Sequence, residues 1–348
     1  MEDLPHSSPA WIGKPYKACP IEQIPSLPSR VPSGLHPEVS PEIVNLVTNQ
    51  GWQYIRNSGN AQVVTDCAGR LLIVKCRAPE SIFVDGEEMQ WLDLVAEVEL
   101  AITALRQAVE TEEAEEHSRG SYSCISFGNS YGGGQQSPQN MSCKPASAYA
   151  ALKTFKTDRF VQAYARRVAC LFRTWQPKLA RLYSLTQLSI IMVNELASMC
   201  FPDSQFASCT VNFGEACYTC WHLDQKNLVF GLCAVGVFGA FDHHRSGQLM
   251  FQYVDIIMEV APGDVVFFPS SLLPHRNAPL HAGETRQSMV FYSPGGIFRF
   301  VSQRYKSKQK DKDGKDVELE EEGKECEDGK QRWKDGCSLI SNISHILQ

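Results

Sequence analysis

Two histidines and one aspartate have the residue types and the spacing of a metal-binding set. His222 and Asp224 lie two positions apart in the strand-like run "CYTCWHLDQKN". Because side chains alternate between the two faces of a strand, these two point the same way. Farther along, His275 follows the apolar run "GDVVFFP". Two histidines and one carboxylate make a facial triad, which holds Fe(II) and leaves coordination positions open for chemistry. We therefore predict an Fe(II) site at His222, Asp224 and His275.

An arginine follows the last of these residues at a position suited to binding a carboxylate. Arg286 begins the run "RQSMVFYS". A guanidinium group binds a carboxylate through two parallel hydrogen bonds. Strand alternation places Ser288, Val290 and Tyr292 on the same face as Arg286. The pattern predicts that Arg286 and Ser288 bind one carboxylate, with Tyr292 directed into the same cavity.

The segment that must position these residues has the pattern of a β-rich core. Residues 208–292 contain short β-branched and aromatic runs that are separated by turns such as "APGD". This spacing is typical of a sandwich or a jelly roll. Residues 88–110 have helical periodicity, and residues 146–200 are helical, with Pro177 separating two helices. We predict an α+β fold, in which a jelly-roll core is flanked by N-terminal helices.

Composition predicts an arm, one domain and a tail. Residues 1–60 form a Pro-rich arm and residues 306–348 a charged, mobile tail. The single domain between them, 61–305, has helical support and a Gly-rich loop in 61–200 and its β core in 201–305. No apolar run is long enough for a membrane span, and the acidic N-terminus lacks the apolar region of a secretory signal. The 13 scattered cysteines favour a chain with reduced thiols.

Charge is segregated along the chain, although the net charge is −6. Residues 80–116 carry 12 acidic residues and one basic residue, whereas residues 144–181 carry nine basic residues and one acidic residue. Such segregation places a positive surface on a net-negative protein, as phosphate contact requires. A solvated helix surface explains the segment equally well. His243, His244 and His281 lie in turn-like stretches without ligand spacing, so we expect exposed loop side chains there.

Several stretches together resemble the 2-oxoglutarate- and Fe(II)-dependent dioxygenases, and most closely the short fungal-type members of the TET/JBP family of nucleic-acid base oxygenases. The stretches are "VNFGEACYTCWHLDQKN", "GAFDHHRSGQLMFQY", "EVAPGDVVFFPSSLLPHRN", "GETRQSMVFYSPGG" and the upstream loop "FGNSYGGGQQSPQN". The resemblance covers about residues 120–300. It implies a double-stranded β-helix, the cosubstrates 2-oxoglutarate and O2, and stimulation by ascorbate.

The resemblance also implies a role for individual residues. The metal ligands are His222, Asp224 and His275, and the cosubstrate residues are Arg286, Ser288 and Asn212. Contacts to a flipped-out base are assigned to Asn227, Tyr292, Asn129, Ser130 and Tyr131. Contacts to the DNA backbone are assigned to Lys144, Lys153, Lys156, Arg159, Arg166 and Arg167. Glycines in the loop 127–136 would allow close approach to the backbone, although this loop also fits a surface linker.

The implied function is oxidation of the methyl group of 5-methylcytosine in duplex DNA by a monomeric, nuclear enzyme. The nuclear location follows only from the substrate. Oxidative demethylation of N6-methyladenine is the alternative, since an amide at Asn227 both donates and accepts hydrogen bonds. Hydroxylation of a protein or a small molecule by the same iron centre is a further alternative. A non-enzymatic jelly-roll binding module is the alternative outside enzymes, and the intact triad and Arg286 argue against it.

Overall fold

The structure is a computed structural model that describes residues 1, 4–14, 34–109, 116–117, 119–132, 135–143, 148–213, 217–305 and 322–345. The helices are α1 (Pro41–Asn49), α2 (Trp91–Val109), α3 (Tyr149–Thr157), α4 (Arg159–Trp175), α5 (Pro177–Val193), α6 (Gly295–Ser302) and α7 (Glu322–Ser338), followed by a 3-10 turn at Ile343–His345.

Short strands make up most of the remaining regular structure. They are β1 (Gln53–Ile55), β2 (Gln62–Thr65), β3 (Leu71–Cys76), β4 (Ser81–Val84), β5 (Glu87–Gln90), β6 (Glu116–His117), β7 (Gly120–Ser121), β8 (Cys124–Ser130), β9 (Gln139–Asn140), β10 (Ser208–Asn212), β11 (Cys233–Phe238), β12 (Leu249–Phe251), β13 (Ile256–Met258), β14 (Val265–Phe268), β15 (His275–Asn277) and β16 (Gln287–Tyr292).

Twelve of the described strands form two facing sheets with the connectivity of a jelly roll, and β4–β5 and β6–β7 are separate two-stranded ribbons. The larger sheet has eight strands in the order β2-β3-β14-β11-β16-β10-β8-β9, and the smaller has four in the order β1-β13-β12-β15. From β11 onward the chain passes from one sheet to the other and back, which is how a double-stranded β-helix is built. The predicted α+β fold with a double-stranded β-helix core is confirmed.

Alternation along the strands of the larger sheet separates two kinds of surface. Cys209 and Phe291 belong to the core formed with the helices. Their neighbours Val290 and Tyr292 instead pack toward the smaller sheet, against a cluster that contains Phe251. This alternation is the ordinary consequence of strand geometry. The inner face of the larger sheet is therefore available to line a cavity between the sheets.

Helices α2 to α5 cover the outer face of the larger sheet. Asp158 caps α4, because its carboxylate accepts hydrogen bonds from the backbone N–H groups of Phe160 and Val161. Pro177 begins α5 directly after α4, as the sequence predicts. The helix predicted at 88–110 begins at Trp91 instead, because Glu87–Gln90 pairs with β4 in a hairpin. No helix in the described ranges is both long and apolar enough to cross a membrane.

Both terminal segments contain more structure than composition predicts. The arm, 1–60, contributes α1 and the strand β1, which pairs in parallel with β13. The tail, 306–348, was expected to be mobile, but it contains α7, on which Trp333 and Cys337 are buried. Ile340 joins the same core. Trp333 and Cys337 are spaced as neighbours on one helix face, and Ile340 follows the end of the helix. The surrounding charged residues obscure that spacing in the sequence.

A buried ion pair links β3 to the turn before β14. The Lys75 ammonium group is fully buried, and it lies 2.9 Å from Asn57 Oδ1 and 3.3 Å from Asp264 Oδ2. The Asp264 carboxylate also accepts a hydrogen bond from the backbone N–H of Ala261 at 2.9 Å. Each charge is thus compensated only by its partner.

Replacing Lys75 with methionine is expected to lower the free energy of unfolding by about 3–5 kcal/mol, because Asp264 is left buried without a counter-charge. Urea denaturation measures the loss. The double variant Lys75→Met/Asp264→Asn serves as the control, since it removes both charges and keeps an acceptor for Ala261. We expect it to be more stable than the single variant, and equal losses would contradict the account.

Candidate active site

The three predicted metal ligands lie together at β15, the edge strand of the smaller sheet. His275 begins β15, and His222 forms a two-way backbone pair with it, with N–H···O distances of 3.2 Å and 3.0 Å. His222 was expected within a strand, but that pair is an isolated bridge. The segment leaves the sheet at once because the N–H of Asn227 turns back to the carbonyl oxygen of Asp224 at 2.9 Å.

The donor atoms of the triad have the geometry of a metal site. Ligand atoms of His222, Asp224 and His275 all lie within 4.8 Å of one another. The distance from His275 Nε2 to Asp224 Oδ2 is 4.0 Å. A divalent metal between them would need only small movements, since metal–nitrogen and metal–oxygen bonds are about 2.0–2.2 Å long.

Both histidines are held in the same tautomer by backbone carbonyl groups. His222 Nδ1 lies 2.8 Å from the carbonyl oxygen of Cys220, and His275 Nδ1 lies 2.9 Å from that of Leu273. A ring nitrogen next to a carbonyl oxygen must donate, so each Nδ1 carries the proton. Each Nε2 therefore presents a lone pair, as second-sphere hydrogen bonds commonly arrange at metal sites.

Burial and mutual proximity set the charge of the triad. Burial, followed by the nearby His222, lowers the pKa of His275 to about 3. Burial also lowers the pKa of His222. Burial alone would raise the pKa of Asp224, but His222, His275 and Arg119 together lower it below its ordinary value. At neutral pH the set is two neutral imidazoles and one carboxylate, the protonation states that metal binding requires.

Sequence reasoning missed Arg119, which contacts the triad. Its Nη1 lies 3.3 Å from Asp224 Oδ1, whereas the other oxygen of that carboxylate, Oδ2, is the one nearest His275 Nε2. The guanidinium group thus contacts the carboxylate oxygen that faces away from His275. No spacing in the sequence indicates this contact, because Arg119 is more than a hundred residues away along the chain.

Beside the triad, the inner face of the larger sheet carries the predicted cosubstrate residues. Asn212 and Ser288 are register partners on β10 and β16, and Asn212 Nδ2 donates to Ser288 Oγ at 3.0 Å. Arg286, directly before β16, is only 3% exposed, and burial lowers its pKa. Its Nε has no hydrogen-bond partner among the described residues, and neither does Asn212 Oδ1.

Arg286 is a buried cation whose Nε lacks a hydrogen-bond partner among the described residues. An uncompensated charge in the interior is costly unless a bound anion or a counter-charge balances it. Within the described ranges no carboxylate lies within ion-pairing distance of Arg286. The guanidinium group and the Asn212–Ser288 pair therefore fit a carboxylate ligand, and the neighbouring triad fits a divalent metal.

Two of the predicted base-contact residues lie close to the triad. The Tyr292 hydroxyl is 3.5 Å from Thr210 Oγ1 on the inner face, and its pKa is raised, chiefly by burial. Asn227 Nδ2 donates to Ser270 Oγ at 2.9 Å, which leaves Asn227 Oδ1 as an acceptor. Whether either residue touches a base remains a prediction.

The other three residues predicted to contact a base do not lie on a loop that extends away from the protein surface. Asn129 is fully buried in β8, where its Nδ2 donates to the carbonyl oxygen of Ser198 at 2.9 Å. Tyr131 is 9% exposed and packs on Phe300 with ring centroids 5.0 Å apart. Asn129 and Tyr131 are therefore buried in this structure, and their assignment to base contact stays a prediction. Ser130 ends the strand and pairs with Gln139, and Gly133 and Gly134 lie outside the described residues.

Most of the basic segment lies on the far side of the larger sheet from the triad. Phe155 of α3 and Val161 of α4 belong to the core on the outer face. These two helices carry five of the residues that were predicted to contact the DNA backbone, namely Lys153, Lys156, Arg159, Arg166 and Arg167. Because the apolar faces of α3 and α4 pack on the sheet, these basic side chains lie away from the triad, and their assignment to the DNA backbone stays a prediction. Lys144 lies outside the described residues.

Lys153 and Lys156 are the exception, since both line a cleft of about 260 Å³ that also contains Met141. Met141 Sδ lies 4.0 Å from the Tyr292 hydroxyl. The cleft therefore lies next to Tyr292, on the inner face of the larger sheet.

Three solved structures illustrate what the chain is similar to. NgTET1 in complex with 5mC DNA is 15% identical, with a TM-score of 0.44 over 72% of this chain and 84% of that chain. A 2OG-Fe(II) oxygenase family oxidoreductase from Burkholderia pseudomallei is 16% identical, with a TM-score of 0.32 over 60% and 92%. OsALKBH1 is 14% identical, with a TM-score of 0.32 over 62% and 98%. No protein-family model and no curated protein matches the sequence.

The N-terminal segment 4–14 supports the loop that carries Asp224. The N–H of Gly13 donates to the carbonyl oxygen of Gln225 at 2.7 Å, and the N–H of Val229 donates to that of Trp11 at 3.1 Å. Helix α7 holds this segment from outside. The Arg332 guanidinium lies 4.3 Å above the Trp11 ring, and the His6 ring stacks on the Trp333 ring at 4.1 Å.

Replacing Trp333 with alanine is expected to lower the free energy of unfolding by about 3–5 kcal/mol, as truncation of a buried tryptophan does. Because segment 4–14 loses its outer support, we also expect weaker metal binding at Asp224. Urea denaturation and Fe(II) titration measure the two effects. Lys334→Ala is the matched control, since Lys334 is exposed on the same helix. A Trp333→Ala protein as stable as this control would contradict the proposed packing.

Proposed function

We propose that this protein is an Fe(II)- and 2-oxoglutarate-dependent dioxygenase that oxidises the methyl group of 5-methylcytosine in duplex DNA. One observation carries the proposal. The metal-type triad accompanies a buried guanidinium, Arg286, whose Nε has no hydrogen-bond partner and which has no carboxylate counter-charge among the described residues. A metal-chelating keto acid with a distal carboxylate satisfies both features.

Each residue of the site has a definite part in that chemistry. Bound iron and 2-oxoglutarate supply the oxidation: O2 is consumed, 2-oxoglutarate becomes succinate and carbon dioxide, and a C–H bond becomes C–OH. His222, Asp224 and His275 would hold the metal, and Arg119 contacts the Asp224 carboxylate. Arg286 and Ser288 would bind the distal carboxylate, with Asn212 orienting the Ser288 hydroxyl.

DNA as the substrate is supported by the sequence resemblance to base oxygenases and by the polar groups around the triad. A base inside a duplex cannot reach a buried metal, so it must be flipped out and bound by its edge. Asn227 Oδ1 offers an acceptor for an exocyclic amino group, and Tyr292 offers a ring and a hydroxyl. The cleft with Lys153 and Lys156 offers positive charge for a flanking phosphate. We also propose that the enzyme is a monomer and acts in the nucleus.

N6-methyladenine is the second candidate, because the contact at Asn227 suits it as well as it suits 5-methylcytosine. Because Asn227 Nδ2 is already bonded to Ser270, the free acceptor Oδ1 suits the amino group of either cytosine or adenine. Hydroxylation of an N-methyl group gives an unstable hemiaminal, so the net result would be demethylation.

Nucleoside mass spectrometry distinguishes these substrates. Purified protein is incubated with Fe(II), 2-oxoglutarate and ascorbate and with matched duplexes that carry 5-methylcytosine, N6-methyladenine or thymine. We expect 5-hydroxymethylcytosine from the first duplex, and none with an Asp224→Ala protein. Loss of N6-methyladenine alone would identify the second candidate. No change in any duplex would overturn DNA as the substrate.

A further inference from the structure

The loop between β11 and β12 contains a second group of metal-ligand side chains. Asp242, His243 and His244 are consecutive, and ligand atoms of all three lie within 4.8 Å of one another. None of them belongs to the iron-type triad. The sequence predicts exposed loop side chains here, but all three are half-buried.

A buried carboxylate orients His244. His244 Nδ1 lies 2.9 Å from Glu259 Oε2, and Glu259 is 1% exposed. Glu259 is itself fixed, because it accepts hydrogen bonds from the Tyr54 hydroxyl at 3.1 Å and from the N–H of Asn57 at 2.7 Å. Its contact keeps the proton on Nδ1 and leaves Nε2 as a lone-pair donor. A carboxylate behind a histidine in this way is the usual second sphere of a metal-binding imidazole.

The His243 ring lies against the ring of His244. Its ring centroid lies 4.1 Å from that of His244, at an angle of 39°. Burial, followed by the proximity of His244, lowers the pKa of His243. Two adjacent imidazole rings place two nitrogen donors close enough to share one metal ion.

Asp242 supplies an oxygen donor that no nearby cation neutralises at close range. Arg245 is 4.0 Å from its Oδ2, but that guanidinium is bound more closely by Glu284 at 3.0 Å and by Glu38 at 2.7 Å. With Glu259 behind His244, the surroundings carry more carboxylates than cations. This balance favours a divalent cation at the loop.

We propose that Asp242, His243 and His244 bind a second divalent transition metal, of the Zn²⁺ class, separate from the iron. Two imidazoles and one carboxylate are ligands that Zn²⁺ accepts, with solvent in the fourth position. Glu259 is a positioning residue for His244. The bound metal would fix the 239–248 loop against the buried end of β13, where Glu259 is anchored.

The test uses the full chain with the iron-type triad disabled by Asp224→Ala and His275→Ala. Zn²⁺ is titrated by calorimetry, and Co²⁺ by the visible absorption of its nitrogen-ligated form. We expect one equivalent of metal, and a thermal unfolding midpoint that rises with added Zn²⁺. Adding His243→Ala is expected to abolish both signals, whereas adding His36→Ala, a half-buried histidine outside the group, leaves them unchanged.

A second variant keeps the ligands and changes only the group behind them. Glu259→Gln is expected to weaken Zn²⁺ binding about 10- to 100-fold, the effect of losing a second-sphere partner. Circular dichroism of each metal-free variant confirms that it is folded. Absence of binding in the triad-disabled protein, or binding that survives His243→Ala, would overturn the proposal.

Discussion

An Asp224→Ala protein is expected to lose iron binding and to form no oxidised base. The carboxylate is the only anionic member of the triad, and its Oδ2 is the oxygen 4.0 Å from His275 Nε2. Without it, two neutral imidazoles remain, and Arg119 loses its contact to the site. Because losing even a second-sphere partner costs about 10- to 100-fold, we expect the loss of this ligand to exceed about 100-fold in turnover. Fe(II) titration and succinate release measure the two effects.

A variant of Arg119 is the matched control for this prediction. Arg119→Lys keeps a positive charge near Asp224 Oδ1 but loses the planar guanidinium, so we expect reduced turnover with iron binding largely retained. An Asp224→Ala protein that binds Fe(II) as tightly as the Arg119→Lys protein would show that the triad is not the metal site.

Replacing Arg286 with glutamine is expected to have the second large effect, on the binding of 2-oxoglutarate. The change removes the buried cation and leaves a shorter, neutral polar side chain. We expect the KM for 2-oxoglutarate to rise at least about 30-fold, because truncating one partner of a buried charge pair costs about 2–5 kcal/mol. Steady-state succinate formation at varied 2-oxoglutarate measures it. Iron binding by the triad is expected to be unchanged, since Arg286 is not a ligand.

Ser288→Ala is the control whose KM for 2-oxoglutarate is compared with that of Arg286→Gln. It removes one neutral hydrogen bond, which is worth about 0.5–1.5 kcal/mol, so we expect a much smaller rise in KM. Equal effects for the two variants would contradict the assignment of Arg286 to the carboxylate. A rise in KM for DNA, rather than for 2-oxoglutarate, would contradict it as well.

Local patterns in the sequence predict the centre of this site because they reflect strand geometry. The alternation that puts Arg286, Ser288 and Tyr292 on one face follows from the two-residue repeat of β16. The apolar runs of β11 to β16 likewise predict the jelly-roll core. His222 and His275 are brought together by backbone pairing between distant segments. In the sequence, only the combined pattern of His-x-Asp, His and Arg-x-Ser indicates that these segments meet.

Features that depend on tertiary contact do not have such a pattern. Arg119 reaches Asp224 from a short segment with no periodicity, and Asn129 is polar although it is fully buried. Its amide nitrogen is satisfied by a backbone carbonyl from a separate segment. Charge counts predict a mobile tail, yet Trp333 packs into the core. The basic residues of α3 and α4 are close in sequence, but the packing of those helices decides which side of the sheet they occupy.

The most direct test of the central claim measures succinate and oxidised base in the same reaction. Wild-type protein with Fe(II), O2 and 2-oxoglutarate is given a duplex carrying 5-methylcytosine or the same duplex without methylation. We predict that the methylated duplex stimulates succinate release, with one succinate for each oxidation step found in the nucleosides, and that Arg286→Gln protein restores this ratio only at high 2-oxoglutarate. Succinate release that is independent of DNA, with no oxidised base formed, would contradict the claim while leaving the iron chemistry intact.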